Sequence, residues 1–215
     1  MPTFDGRKVL FLHIPKTAGT SIKHFFFQFF TEAEICPDWD EMNLKNDLAY
    51  NIRTFRFFHG HFNYDILQFF PDDTIVFTFL RSPLSHLLSS YYFARSLSEV
   101  EIKSLPLEAQ ESAFAARQRS LQEYLQGDDW FVARMVTNVQ TRKLANSSDH
   151  PIDDVDWHTL ATQAIINSSK FEFVGRVETL SLEPTNLLGR LPTRVRDRIS
   201  WQGVPAAVRP SSRSR

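Results

Sequence analysis

Val9-Leu-Phe-Leu-His-Ile-Pro-Lys-Thr-Ala-Gly-Thr-Ser21 is the stretch on which the reading of this chain turns. Its first six residues make a short apolar run rich in strand formers, the pattern of a strand buried on both faces. Pro15 to Gly19 break the run, and Thr20 suits the N-cap of the next segment. There Ile22, Phe25, Phe26 and Phe29 recur at i, i+3, i+4 and i+7, so a helix lays that stripe on the core. The unit is strand, tight loop, helix.

Such a loop gathers free backbone N–H groups at the positive end of a helix dipole. Gly19 lets the backbone approach an anion closely. Thr17, Thr20 and Ser21 add hydroxyl donors and Lys16 a mobile positive charge, which together describe a phosphate cradle. It is not a Walker A loop, where the lysine follows the second glycine; here Lys16 precedes Gly19. The competing reading is an ordinary strand-to-helix turn whose Thr and Ser only cap.

Outward from this unit, residues 36–50 read as a polar connection with a short helix. Thr54-Phe-Arg-Phe-Phe58 alternates and runs into His59-Gly60-His61, a strand ending at the histidines. Residues 74–80, Thr-Ile-Val-Phe-Thr-Phe-Leu, are the clearest buried strand. It ends at Arg81, Ser82 is placed to cap, and Pro83 stands where a first helical residue belongs. Leu84, Leu87, Leu88 and Tyr91 mark the apolar stripe of that helix. Helical periodicity continues over 107–125, 130–144 and 156–169, followed by a strand at 171–175 and a helix over 179–188. Strands alternating with helices predict an α/β fold with a mainly parallel sheet flanked by helices, and ligands in such sheets bind beyond the carboxyl ends of the strands. Both notable loops, after Ile14 and after Leu80, lie at that edge.

The second constellation is Leu80-Arg-Ser-Pro-Leu-Ser-His-Leu-Leu-Ser-Ser-Tyr-Tyr92. Arg81 at a strand's carboxyl end can clamp a phosphate with two parallel hydrogen bonds. Ser89, two turns into the helix and off its apolar stripe, can reach the same anion. Taken alone, Arg81 reads better as a surface charge and Ser89 as a neutral helix position.

Length and composition bound the rest. A chain of 215 residues with 42% hydrophobic residues and 20 Phe supports one ordered, aromatic-rich domain, assigned to residues 1–202, with a basic tail expected to be disordered over 203–215. From Arg190 to Arg215 there are seven Arg against one acid, Asp197. The sole cysteine, Cys36, forms no internal disulfide and reads as a small buried hydrophobe in a reducing compartment. The N-terminus runs directly into strand pattern rather than a signal peptide, and the apolar runs are too short and interrupted to span a membrane. A cytoplasmic location is the expectation. A formal charge of −1 offers no ground for nucleic-acid binding.

Together the two constellations resemble the carbohydrate sulfotransferases. His13 to Ser21 looks like that family's 5′-phosphosulfate loop, and Leu80-Arg-Ser-Pro83 through Ser89-Tyr-Tyr92 looks like its 3′-phosphate segment. The heparan sulfate/uronyl 2-O-sulfotransferase branch, with its small bacterial relatives, is the nearest resemblance, and His59-Gly60-His61 matches a His-Gly-His of that branch. Asn138-Val-Gln-Thr-Arg-Lys-Leu144 and Phe173-Val-Gly-Arg-Val-Glu178 are weaker echoes. The resemblance spans about residues 8 to 188 and implies a P-loop-like sulfotransferase fold. It implies 3′-phosphoadenosine 5′-phosphosulfate (PAPS) as sulfo donor, no metal, and a hydroxyl acceptor on a glycan or small saccharide. Lys16, Thr17, Ala18, Gly19, Thr20 and Ser21 would hold the 5′-phosphosulfate, and Arg81 and Ser89 the 3′-phosphate. His61, or in second place His59, would be the general base, and Lys16 would meet charge building on the leaving phosphate. The two histidines are expected to face apart, one catalytic and one structural. Two departures stand out: His86 occupies a position where the family has Arg, and residues 191–215 do not read like the segment that folds over the donor. A nucleotide or small-molecule kinase, and a non-catalytic nucleotide-binding relative, are the competing readings.

Overall fold

The computed structural model describes residue 4 and residues 6–127, 129–146 and 156–180. In chain order the elements are β1 (Val9–Leu12), α1 (Gly19–Phe27), α2 (Glu41–Asn46), α3 (Leu48–Thr54), β2 (Phe57–Gly60), β3 (Ile75–Leu80), α4 (Pro83–Ser96), α5 (Glu99–Lys103), α6 (Leu107–Gln118), α7 (Leu121–Gln126), α8 (Trp130–Val136), α9 (Val139–Leu144), α10 (Trp157–Ser168) and β4 (Phe173–Arg176). The four strands form one parallel sheet in the order β2-β1-β3-β4. The fold is α/β, as the alternation of elements predicts.

Side-chain parity explains how the sheet is buried. Successive side chains on a strand alternate faces. Odd-numbered Val9, Phe11, Phe57, Ile75, Phe77 and Phe79 therefore meet Ile22, Phe25 and Phe26 of α1, and Phe29 just beyond its end, in one aromatic core. Even-numbered Leu10, Leu12, Phe58 and Val76 join Leu44, Leu144 and Ala164 in a second core on the other face. Rings of Phe26 and Phe77 stack at 4.5 Å between centroids, and those of Phe11 and Phe77 at 4.9 Å. Cys36 lies in the second core with its thiol pushed up to about 11 by burial, which makes it an inert packing residue.

The strand order reverses direction at β1, whose neighbours β2 and β3 lie on opposite sides. In open parallel sheets that reversal opens a crevice at the carboxyl edge. Here the β1–β3 ladder runs only from Val9↔Ile75 to Phe11↔Phe77. Beyond it the buried Thr78 hydroxyl donates to the Leu12 carbonyl at 2.7 Å, satisfying a group the ladder no longer pairs. The two strands thus part where the two notable loops begin.

Several sequence-based expectations are corrected. Helix α1 begins at Gly19 with Ala18, not Thr20, as its N-cap, because Lys16 and Ala18 both take left-handed backbone (φ 68° and 61°) and turn the chain early. Thr54 ends α3 rather than starting a strand, so residues 36–54 hold two helices instead of one. On α4 the buried residues are His86 and Tyr91, while Leu84 is exposed. The continuous periodicity over 107–125 is two helices, interrupted where Ser120 and Glu123 form a capping box. That over 130–144 is also two, broken at the left-handed Asn138. Residues 181–188 of the expected last helix, the region over 191–215 and the 203–215 tail lie outside the described residues.

Candidate active site

The same parity that fills the core builds the site. His13 continues Val9 and Phe11 off the end of β1, His59 and His61 continue Phe57 on β2, and Arg81 continues Phe77 and Phe79 off β3. Odd parity directs all four to the α1 side of the sheet, at its carboxyl edge. The expectation that His59 and His61 face apart is therefore wrong: residues two apart on an extended chain share a face. Both line one cleft of about 260 Å³, with His13, Gly19, Thr20, Lys23 and Trp39. The His13 and His61 rings are 4.9 Å apart, and the Trp39 indole meets His61 edge-on at 5.5 Å.

The loop at the cleft's inner end is preset for an anion. The N–H groups of Gly19, Thr20 and Ser21, in the first turn of α1, have no intrahelical partner. Among the described residues no carbonyl outside the helix accepts from them, and the first helical bond runs from Ile22 N–H to Ala18 at 3.1 Å. Thr20 and Ser21 are exposed. Thr17, in contrast, is buried and its hydroxyl donates to the Ile14 carbonyl at 2.7 Å, so it shapes the loop from within. Gly19 is required sterically: a Cβ there would run into the His13 imidazole.

The two motif loops, 65 residues apart in sequence, meet across the crevice. Arg81 Nη1 donates to the Lys16 carbonyl at 3.2 Å. His86 Nε2 lies 2.8 Å from the Pro15 carbonyl. A carbonyl only accepts, so Nε2 carries the proton and His86 ties α4 to the Lys16 loop. That tie is the contribution of the residue standing where the resemblance leads one to expect Arg. Ser89 is half-buried two turns into α4.

Sequence reasoning missed the residues that hold Arg81 in place. The Gln140 side-chain amide brackets the Arg81 backbone, accepting from its N–H and donating to its carbonyl, each at 2.8 Å. Glu178 Oε1 accepts from Ser82 N–H at 2.6 Å, and its carboxyl is held below the usual range chiefly by that bond. Both residues sit in the two segments whose resemblance to the family is only a weak echo. On the histidine side, Lys143 Nζ donates to the His61 carbonyl at 3.0 Å, and His61 N–H donates to the Trp39 carbonyl at 2.9 Å.

Burial sets the charge states. Desolvation, reinforced by neighbouring cations and by the rings' mutual repulsion, brings His13 down to about 3 and His59 to about 4. His61 also falls to about 4, through burial and then Lys143, with Asp40 opposing. All three rings are neutral at physiological pH and able to accept a proton. Among the described residues the buried His13 Nε2 has no hydrogen-bond partner. Lys16 is lowered by burial first and by Arg81 second, and its Nζ stands 3.8 Å above the centre of the Phe93 ring. Among the described residues no three His, Cys, Asp or Glu side chains converge in a metal-ligating arrangement, and no helix is long and apolar enough to cross a membrane.

Fold and site together define an α/β protein with an open helix N-terminus, an opposed arginine and neutral histidines at the carboxyl edge of a parallel sheet. The sulfotransferase family model matches residues 3–201, and the chain belongs to that family. Comparison with curated proteins returns no match. Membership makes the chain a transferase of sulfo groups to a hydroxyl acceptor.

Proposed function

We propose that this protein transfers a sulfo group from PAPS to a hydroxyl of a carbohydrate acceptor, with His61 as general base and Lys16 as the group that stabilises the leaving phosphate. One observation carries the reading: the Lys16 loop and the Arg81 loop are tied together at the strand-order reversal, directly beside a cleft lined by neutral histidines.

The donor supplies an activated sulfuryl group flanked by a phosphate at the 5′ position, with a second phosphate at the 3′ position. The residues present fit that charge pattern. Lys16 and the unpaired N–H groups of Gly19, Thr20 and Ser21 suit the 5′ side, with Ala18 and Thr17 shaping the loop beneath. Arg81, with Ser89, suits the 3′ side. His61 takes the hydroxyl proton as the acceptor oxygen bonds sulfur and the sulfur–oxygen bond to phosphate breaks. Lys16 meets the negative charge released on the phosphate oxygen, the in-line, electrostatic form of catalysis used for phosphoryl groups. His61 ranks above His59, whose ring packs on Phe27 and Phe57 at 5.4 and 5.8 Å between ring centres at the strand side of the same cleft. His61 stands beyond the strand end, anchored by its own backbone.

Calorimetry with 3′,5′-adenosine bisphosphate tests this directly. The bisphosphate is expected to bind without metal and to raise the melting temperature well above the effect of equal ATP with Mg²⁺. A larger, Mg²⁺-dependent shift with ATP would overturn the donor assignment in favour of a kinase.

A further inference from the structure

Lys16 has a guanidinium as its charged neighbour. Arg81 reaches its carbonyl, and His13 and His86 both feel its charge. Among the described residues no carboxylate pairs with it. It is also partly withdrawn from water, and burial and Arg81 both favour the neutral amine. Yet the chemistry assigned to Lys16 requires an ammonium, placed and charged before the leaving group forms. One contact opposes these effects: the face of Phe93, 3.8 Å from Nζ at the ring centre. An aromatic face attracts a cation through its quadrupole, and does so more strongly where water is partly excluded.

The ring's position supports a dedicated role. Phe93 lies on α4 one turn beyond Ser89, and 48% of its surface is exposed although it is a large apolar side chain. It contributes to none of the three apolar clusters of the fold. Lys16 adopts left-handed backbone, which a non-glycine residue ordinarily avoids. That turn lets its carbonyl accept from Arg81 while its side chain reaches α4.

We propose that Phe93 is a positioning residue for sulfo transfer: its ring face keeps the Lys16 ammonium charged and in place where, among the described residues, no carboxylate pairs with it. The consequence for turnover rests on the catalytic role proposed for Lys16; the contact itself does not. Lysine labelled with ¹⁵N at Nζ and ¹³C at Cε reports both, with Lys16→Arg identifying the resonance. In the wild type the Lys16 Cε protons are expected to be shifted upfield by the ring current. Phe93→Leu should abolish that shift and lower the Lys16 pKa by about one further unit, and Phe93→Tyr should restore both. A purely structural ring would move the melting temperature and leave the lysine titration alone. An ordinary Lys16 shift, or the same titration in the wild type and Phe93→Leu, overturns the proposal. Calorimetry with 3′,5′-adenosine bisphosphate on the same proteins separates the two readings. A ring-shifted Lys16 in a protein that does not bind the nucleotide keeps the Phe93 contact and removes the donor assignment. Nucleotide binding with an unshifted Lys16 does the reverse.

Discussion

Mild acid should unfold this protein through its three cleft histidines before the carboxylates matter. The perturbation is a fall in pH from neutrality to about 5, still above the range where most carboxylates titrate. In the folded chain His13 titrates at about 3, His59 at about 4 and His61 at about 4; released into water each returns to 6.5. Because the folded values are depressed, the unfolded chain binds more protons. The stability these rings contribute is whole above pH 6.5 and is lost progressively as pH falls toward the folded values. Near pH 5 the loss is about 2 kcal/mol per ring. Burial is the largest cause at every ring and mutual repulsion a smaller one, so three rings lose roughly 4–6 kcal/mol rather than a simple multiple. That rivals the whole stability of a typical domain. Urea titrations across this range, read with imidazole NMR, are the assay. Unfolding near pH 5 should take up nearly one proton per ring, and His59→Phe should remove about a third of the slope. Flat stability from neutrality to about pH 5, or imidazole signals titrating near 6.5 in the native protein, would refute the reasoning. Glu34 and Glu178, whose carboxyls are held low by hydrogen bonds, add their own losses only at lower pH.

The remaining predictions concern the site itself. His61→Ala should lower turnover by ~10²–10⁴-fold while leaving the affinity for 3′,5′-adenosine bisphosphate nearly intact, whereas His59→Ala should show first in the melting temperature. kcat/KM should stay level as pH falls through 6.5, down to the pH at which the fold is lost, because only the neutral ring accepts the proton and burial has lowered its pKa. Gln140→Leu removes both bonds to the Arg81 backbone and leaves two polar groups unpaired, a cost of about 1–3 kcal/mol that should appear as weaker binding of the bisphosphate; equal affinity in the variant would show that Arg81 needs no such support.

The range of each interaction decides how much of the protein was legible in advance. The buried strands at Val9 and Ile75, the stripe Ile22, Phe25, Phe26, Phe29 and the loop between are local patterns, written within one or two turns of chain. The α/β class, the parallel sheet, the sulfotransferase resemblance and the candidacy of Lys16, Arg81 and the histidines were therefore readable from the sequence alone. Helix interruptions at Ser120 and Asn138 were not, because periodicity continues across a break that a cap or a left-handed residue makes. The odd parity shared by His13, His59 and His61 becomes a common cleft, and Arg81 comes to face the Lys16 loop, only once strand order places β1 between β2 and β3. Tertiary structure alone decided what lies far apart in sequence: the Arg81 bond to Lys16, the His86 tie to Pro15, the brackets of Gln140 and Glu178, and the Phe93 ring under Lys16. The charge states belong there too. A histidine's residue type sets its ordinary pKa, but the desolvation that brings these rings down by two or more units exists only when two cores and a helix have closed around them.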